Sequence, residues 1–115
     1  VAENVDVLHS DKNKLSKENS LTEKGATVNG RGDNPNTHDI LTGSDLNGRL
    51  PMGATNCNNF TSNSDGTGSA NVGHHDRQGG GDNPTSWNFA HASRGCSQAN
   101  LVATGGAGLF YCFAP

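Results

Sequence analysis

The chain has 115 residues, a formal net charge of −3 at pH 7 and only 17% charged residues, so it has room for one small domain. Its four lysines all lie in the first 24 residues, interleaved with five acidic residues, and this absence of a basic patch argues against nucleic-acid binding. No apolar run approaches the roughly 20 residues of a transmembrane helix, so we expect no transmembrane segment.

The residue types predict an α+β domain that is rich in loops, with short antiparallel strands and little helix. Leu, Ile, Val and Phe total 19 residues, whereas Gly and Asn alone supply 16 and 15. Gly and Asn favour turns, so the apolar core must be thin. A core this small usually needs a covalent cross-link, a metal ion or a partner chain.

Residues 1–26 are predicted to form an N-terminal segment with one short helix. Within residues 10–24, the order Ser20-Leu21-Thr22-Glu23 matches a capping box, and Gly25 follows as a stop signal. Residues 27–115 are predicted to form a loop-rich β core. There the sequence predicts a strand and a turn in 38–49, with the turn at Asn47-Gly48, long loops over 63–86, and further strands in 54–62, 86–97, 99–104 and 108–114.

Three cysteines predict one disulfide and one unpaired thiol. Their spacings match no zinc-binding cysteine pattern. The catalytic motifs are also incomplete: the stretch Gly95-Cys96-Ser97-Gln98-Ala99 lacks the second glycine of G-x-S-x-G, and no phosphate-binding glycine motif occurs. We therefore expect a protein that is not an enzyme.

Calcium is a candidate cofactor because the loops are rich in oxygen donors. Residues 63–68 begin like an EF-hand loop, but the twelfth position holds His74 instead of Glu, so the candidate ligands are those of a looser site: Asp65, Asp76 and Asp82. The pair His74-His75 also invites a transition-metal hypothesis. Adjacent side chains of an extended segment point to opposite faces, which favours one packed and one solvated histidine instead.

Four stretches in fixed order resemble a known family: "TGSDLNGR" (42–49), "CNNFTS" (57–62), Cys96 and "LFYC" (109–112). They are similar to the endostatin module of collagens, and more closely to bacterial proteins with a C-type-lectin-like fold. The resemblance covers roughly residues 20–114 and implies a C-type-lectin-like, endostatin-like domain, or its C-terminal portion. By that resemblance Cys57 pairs with Cys96, and the partner of Cys112 lies in an N-terminal half carried by a second, disulfide-linked chain. The alternative is a shortened member of the family with an unpaired Cys112.

The function implied is that of a secreted, periplasmic or cell-surface recognition module that binds a glycan or a protein surface. This chain departs from the calcium-dependent lectins, because it has no Glu-Pro-Asn and Trp87-Asn88-Phe89 lacks their acidic ligand. The alternative function is a structural or assembly subunit that binds a protein partner and no small ligand. The predicted ligand-binding residues, chosen for hydrogen bonding and for aromatic stacking, are Asp65, His74, His75, Asp76, Arg77 and Trp87.

Overall fold

In the computed structural model, which describes residues 1–53 and 55–114, the chain forms an α+β domain around one small mixed sheet. The four strands are β1 (Asp39–Leu41), β2 (Asn71–His74), β3 (His91–Ala92) and β4 (Gly106–Phe110). Their order across the sheet is β3-β2-β1-β4. The expectation of short strands and little helix is confirmed. The antiparallel prediction holds only in part, because β4 lies parallel to β1.

The helices are α1 (Val5–Leu8), a 3-10 helix (Lys17–Asn19), α2 (Cys57–Phe60) and α3 (Gln98–Thr104). None of the helices in the described residues is long and apolar enough to cross a membrane. The capping box is formed by Ser16 and Asn19, not by the predicted Ser20 and Glu23. Residues 20–25 are not helical: Thr22 and Ala26 close a turn at Gly25, which has a positive φ of 77° that suits glycine.

Residues 99–104, predicted as a strand, form most of α3 instead. The Ser97 hydroxyl accepts a hydrogen bond from the Asn100 N–H, which caps the helix at its N-terminus, and Gly105 ends it with φ of 132°. Leu101 is the one buried side chain of α3, so this helix packs against the domain through a single apolar residue. The local capping residues decided the helix.

The predicted strand at 54–62 is also wrong, and Ala54 lies outside the described residues. The four residues of α2 all have φ between 53° and 59°, so this element is a left-handed turn. The Asn56 side chain holds it by accepting a hydrogen bond from the Asn59 N–H. Asparagine tolerates this conformation better than most residues, and two of the four positions are Asn.

The apolar core is small and contains the only disulfide among the described residues. Cys57 and Cys96 are bonded, as the resemblance implied, and both are buried. Cys112 is a free, exposed thiol. The core cluster consists of Leu41, Cys57, Ala70, Val72, Cys96 and Leu101. The disulfide therefore replaces apolar volume that this sequence lacks.

Candidate metal centre and polar groove

The strand register brings a second, polar cluster to the same face of the sheet as the core. Asp39 pairs with His74 across β1 and β2, just as Leu41 pairs with Val72. Residues two apart on a strand share a face, so the polar pair continues the apolar one. His91 on β3 pairs with Val72, so the neighbouring strand adds a third polar side chain to this cluster.

Four donor atoms converge at this polar end. The Oδ1 atom of Asp39 lies 3.3 Å from Nε2 of His38, 3.2 Å from Nε2 of His74 and 3.5 Å from Nε2 of His91. The Nε2 atoms of His74 and His91 are 3.1 Å apart. The donors of His38, Asp39 and His74 all lie within 4.8 Å of one another. Imidazole nitrogens and a carboxylate at such separations could hold one transition-metal ion.

The cluster is nearly closed to solvent. The side chains of His38, Asp39 and His74 are 7%, 2% and 0% exposed, and His91 is 22% exposed. A loop of three glycines covers the imidazoles. A Cβ atom on Gly79 would lie 2.7 Å from Cε1 of His74, and one on Gly81 would lie 2.8 Å from Cδ2 of His91. The glycines at these positions let the backbone approach the rings.

Burial and neighbouring charge set the protonation of the cluster. Burial lowers the pKa of His38, the nearby His74 lowers it further, and the carboxylates of Asp76 and Asp39 only partly oppose this. Burial acts to raise the pKa of Asp39, but the imidazoles of His74 and His91 outweigh it and leave that pKa lowered. Asp39 in turn raises the pKa of His91. An ionised carboxylate thus sits among histidines of unlike proton affinity.

The structure separates the residues that the sequence predicted as one binding face. His74, His75 and Asp76 are buried, so they point into the domain and not toward a glycan. His74 joins the cluster described above, whereas the Nε2 of His75 lies 3.0 Å from the backbone oxygen of Asn29. The adjacent histidines therefore do face opposite sides, but both are packed. Asp65 is exposed and accepts a hydrogen bond from the Ser97 hydroxyl.

Of the three candidate calcium ligands, Asp76 contacts a histidine of the cluster directly, and the charge of Asp82 helps to raise the pKa of His91. The Asp76 carboxylate lies 3.1 Å from Nδ1 of His38 and accepts hydrogen bonds from the N–H groups of Arg31 and Gln78. Burial acts to raise the pKa of Asp76, but these contacts outweigh it and lower the pKa. Asp65 and Asp82 belong to different surface loops.

A polar groove of about 530 Å³ collects Arg77, Trp87 and Asp82 from the predicted residues. The Trp87 N–H donates to the Leu8 oxygen, and its ring packs edge-on against Phe113, so Trp87 anchors the groove wall. Arg77 donates to the backbone oxygens of Asn13 and Thr85. The exposed side chains of the groove are Asp11, Leu46, Asn47, Asp82 and Thr85.

Sequence reasoning missed His38, Asp39 and His91 because the pair His38-Asp39 is far in the chain from both His74 and His91, so the four residues form no local motif. The dipeptide His38-Asp39 inside a predicted strand was the available signal. The fold and the site together define a small disulfide-bonded α+β domain with a buried histidine–aspartate cluster. Comparison with protein-family models, with curated proteins and with solved structures finds no match to this chain.

Proposed function

We propose that this chain is a non-catalytic, extracytoplasmic recognition domain of the C-type-lectin-like class that binds a glycan in the polar groove beside Trp87. The observation that carries the proposal is the lining of that groove. Asn47 and Asp82 are exposed there, and no hydrogen bond within the described residues uses their side-chain atoms. Free amide and carboxylate groups are the partners that sugar hydroxyls require.

The setting of the groove also supports this class. Long loops form its walls, and the fixed positions of Arg77 and Trp87 hold these loops against the N-terminal segment. Polar loops that are held in place by a rigid framework are typical of binding surfaces. The disulfide between Cys57 and Cys96 is typical of an oxidising compartment, which supports a secreted, periplasmic or cell-surface location.

A glycan array followed by an NMR titration tests the proposal. For a glycan that binds, the largest shift changes are expected at Asn47, Asp82 and Asn83. Asp82→Asn is expected to weaken binding by about tenfold, which corresponds to the loss of one charge-assisted hydrogen bond. Asp65→Asn, at an exposed carboxylate outside the groove, serves as the matched control and is expected to bind like the wild type.

Silence across the array, or shift changes confined to another surface, would contradict the glycan proposal. Repeating the titration with calcium and then with chelator separates calcium-dependent from calcium-independent glycan binding. We expect equal binding in both, because the three predicted calcium ligands do not form one site in this fold.

The second candidate is an assembly subunit that binds another polypeptide, and a different surface favours it. Cys112 lies at an apolar groove of about 420 Å³ lined in part by Leu21, Ile40 and Phe110. His75 and Tyr111 also line this groove, and the Nδ1 atom of His75 and the hydroxyl of Tyr111 are buried without a hydrogen-bond partner in the described residues. A covering segment with a cysteine of its own would bury the exposed Phe110 side chain and bring a second thiol near Cys112.

Intact mass spectrometry of the natively produced protein, before and after reduction, tests this candidate. It predicts that reduction releases a second polypeptide, and that Cys112→Ser abolishes the link while Cys57–Cys96 remains bonded. A single chain with one titratable thiol under non-reducing conditions would contradict it.

A further inference from the structure

The hydrogen bonds of the clustered histidines fix which ring nitrogen carries the hydrogen. Nδ1 of His38 faces the ionised Asp76 carboxylate at 3.1 Å, Nδ1 of His74 faces the Pro84 oxygen at 2.8 Å, and Nδ1 of His91 faces the Ala92 oxygen at 3.2 Å. Carbonyl and carboxylate oxygens only accept, so each Nδ1 must donate. In neutral imidazoles, the three Nε2 atoms then present lone pairs toward Asp39.

With all three imidazoles neutral in this tautomer, Asp39 has no hydrogen-bond donor to balance these lone pairs. In the metal-free chain only an added proton on a histidine can supply one, which agrees with the raised pKa of His91. Both of its carboxylate oxygens are buried without a hydrogen-bond partner among the described residues, although the side chain is only 2% exposed. A buried carboxylate with no partner is strongly unfavourable, because it has lost its hydration without a replacement. Three nitrogen lone pairs directed at it add repulsion. A cation at the centre of the cluster would remove both costs.

We propose that His38, Asp39, His74 and His91 bind one Zn²⁺ ion that cross-links strands β1, β2 and β3. Zinc bonds to imidazole nitrogen and carboxylate oxygen are about 2.0–2.2 Å long, so donors in a tetrahedral site lie about 3.3 Å apart. Four of the six donor separations, those given above, are 3.1 to 3.5 Å and match that value. The donors that all lie within 4.8 Å of one another are those of His38, Asp39 and His74, so the partly exposed His91 ring must turn to complete the shell. A set of three nitrogens and one oxygen suits zinc, whereas calcium prefers oxygen ligands throughout.

The surroundings of the ligands are those of a structural zinc site. Histidine ligands of zinc usually donate their second N–H to a carboxylate or a backbone carbonyl, and all three histidines do so here. Four protein donors fill a tetrahedral shell and leave no position for a substrate. The glycine loop over the rings also excludes bulky molecules. The ion would therefore stabilise the sheet and the loops beside it, not perform chemistry.

Titration of the chelator-treated chain with zinc tests the proposal. Isothermal calorimetry is expected to give one ion per chain. The melting temperature is expected to rise by roughly 10 °C when free zinc is about 100 times Kd. Cobalt in place of zinc is expected to give the intense visible absorption of a tetrahedral ion. No stoichiometric binding, or an octahedral cobalt spectrum, would overturn the proposal.

The neighbouring histidines His74 and His75 give a matched pair of variants. Both side chains are fully buried, so His74→Gln and His75→Gln disturb the packing to a similar extent. Only His74→Gln is expected to lose the zinc-induced rise in melting temperature. Equal responses to zinc in the two variants would overturn the assignment of His74.

Two further variants keep the test decisive if either buried histidine variant fails to fold. His91→Gln, at the most exposed ligand, is expected to remain folded and to lower zinc affinity by more than tenfold. Asp76→Asn changes the outer partner of His38 without removing a proposed ligand, and such changes lower metal affinity by about 10- to 100-fold. Wild-type affinity in both variants would overturn the proposal.

Discussion

One face of the sheet has two ends that are stabilised by different means. At one end Leu41 and Val72 pair beneath the disulfide and α3. At the other end Asp39 and His74 pair beneath the glycine loop, and the buried groups are polar. The apolar end gains from excluding water and from a covalent cross-link. The polar end has neither apolar side chains to bury nor a disulfide. Its stability must come from the hydrogen bonds around the histidines and, by our proposal, from zinc.

The opposite face of β2, at Gly73, packs closely against the Trp87 segment, and a change there should have the largest effect. A Cβ atom on Gly73 would lie 1.7 Å from the backbone oxygen of Trp87, which cannot move without displacing the segment around it. Gly73→Ala is expected to lose more than about 3 kcal/mol of unfolding free energy. In the control, Gly80→Ala, the added Cβ meets no atom within 4 Å.

Urea denaturation followed by tryptophan fluorescence measures this difference, since Trp87 is the one tryptophan. Comparable stability in the Gly73 and Gly80 variants would show that β2 and the Trp87 segment are not packed as described.

Removal of the disulfide should weaken the apolar end first. The bond joins residues 39 apart, and the chain-entropy relation gives about 4 kcal/mol for a loop of that length. Cys57→Ala with Cys96→Ala is therefore expected to lose about 4 kcal/mol, whereas Cys112→Ala, at an exposed thiol, is expected to change stability little.

Hydrogen exchange can locate the effect. The amides of Ala70 and Ala90, which donate to Ser93 and Val72, should lose protection in the double variant even when zinc is present. Uniform loss of protection over both ends would mean that the two ends unfold as one unit.

Acid should weaken the polar end through Asp76. Its pKa is lowered in the folded protein, so its ionised form stabilises the fold at pH values above the unfolded pKa of about 3.9. That contribution is lost as the pH falls through the folded pKa. In chelator-treated protein, Asp76→Asn is therefore expected to be less stable than the wild type at neutral pH, with a smaller further loss below about pH 4.

Stability measured by urea denaturation at a series of pH values checks this prediction. Asp6→Asn, at an exposed carboxylate in α1, is the control and should follow the wild-type curve. An unchanged acid dependence in Asp76→Asn would contradict the role given to this carboxylate.

The left-handed turn at the apolar end should respond to side-chain shape. Asn59 has φ of 55° and ψ of 43°, is exposed, and is a poor position for a β-branched residue. Asn59→Val is expected to cost about 1–2 kcal/mol, and Asn59→Gly should be near neutral. Thermal denaturation of the two variants checks this, and equal melting temperatures would mean that residue 59 does not adopt the left-handed conformation.

The apolar end was partly predictable from sequence, and the polar end was not. The strands predicted in 38–49 and at 108–114 overlap β1 and β4, although β4 begins and ends earlier than predicted. Asn47-Gly48 marked a real turn, in which the Gly48 N–H donates to the Asp45 oxygen. The helix α3 was missed because its Ser97 cap and Gly105 stop were not recognised, although Ala99, Leu101 and Ala103 favour a helix. The histidine–aspartate cluster depends on the pairing of β2 with both β1 and β3, which matches Asp39 with His74 and Val72 with His91. Pairing between residues 35 and 19 positions apart leaves no local spacing pattern.

The most direct test of the zinc-bound polar end is anomalous diffraction at the zinc edge, from crystals grown with one equivalent of zinc. We predict a single strong peak about 2 Å from Oδ1 of Asp39 and from the Nε2 atoms of His38, His74 and His91. A peak at another site, or none at this cluster, would contradict the account. The charge of Asp39 would then have to be balanced by a proton on one of the neighbouring histidines.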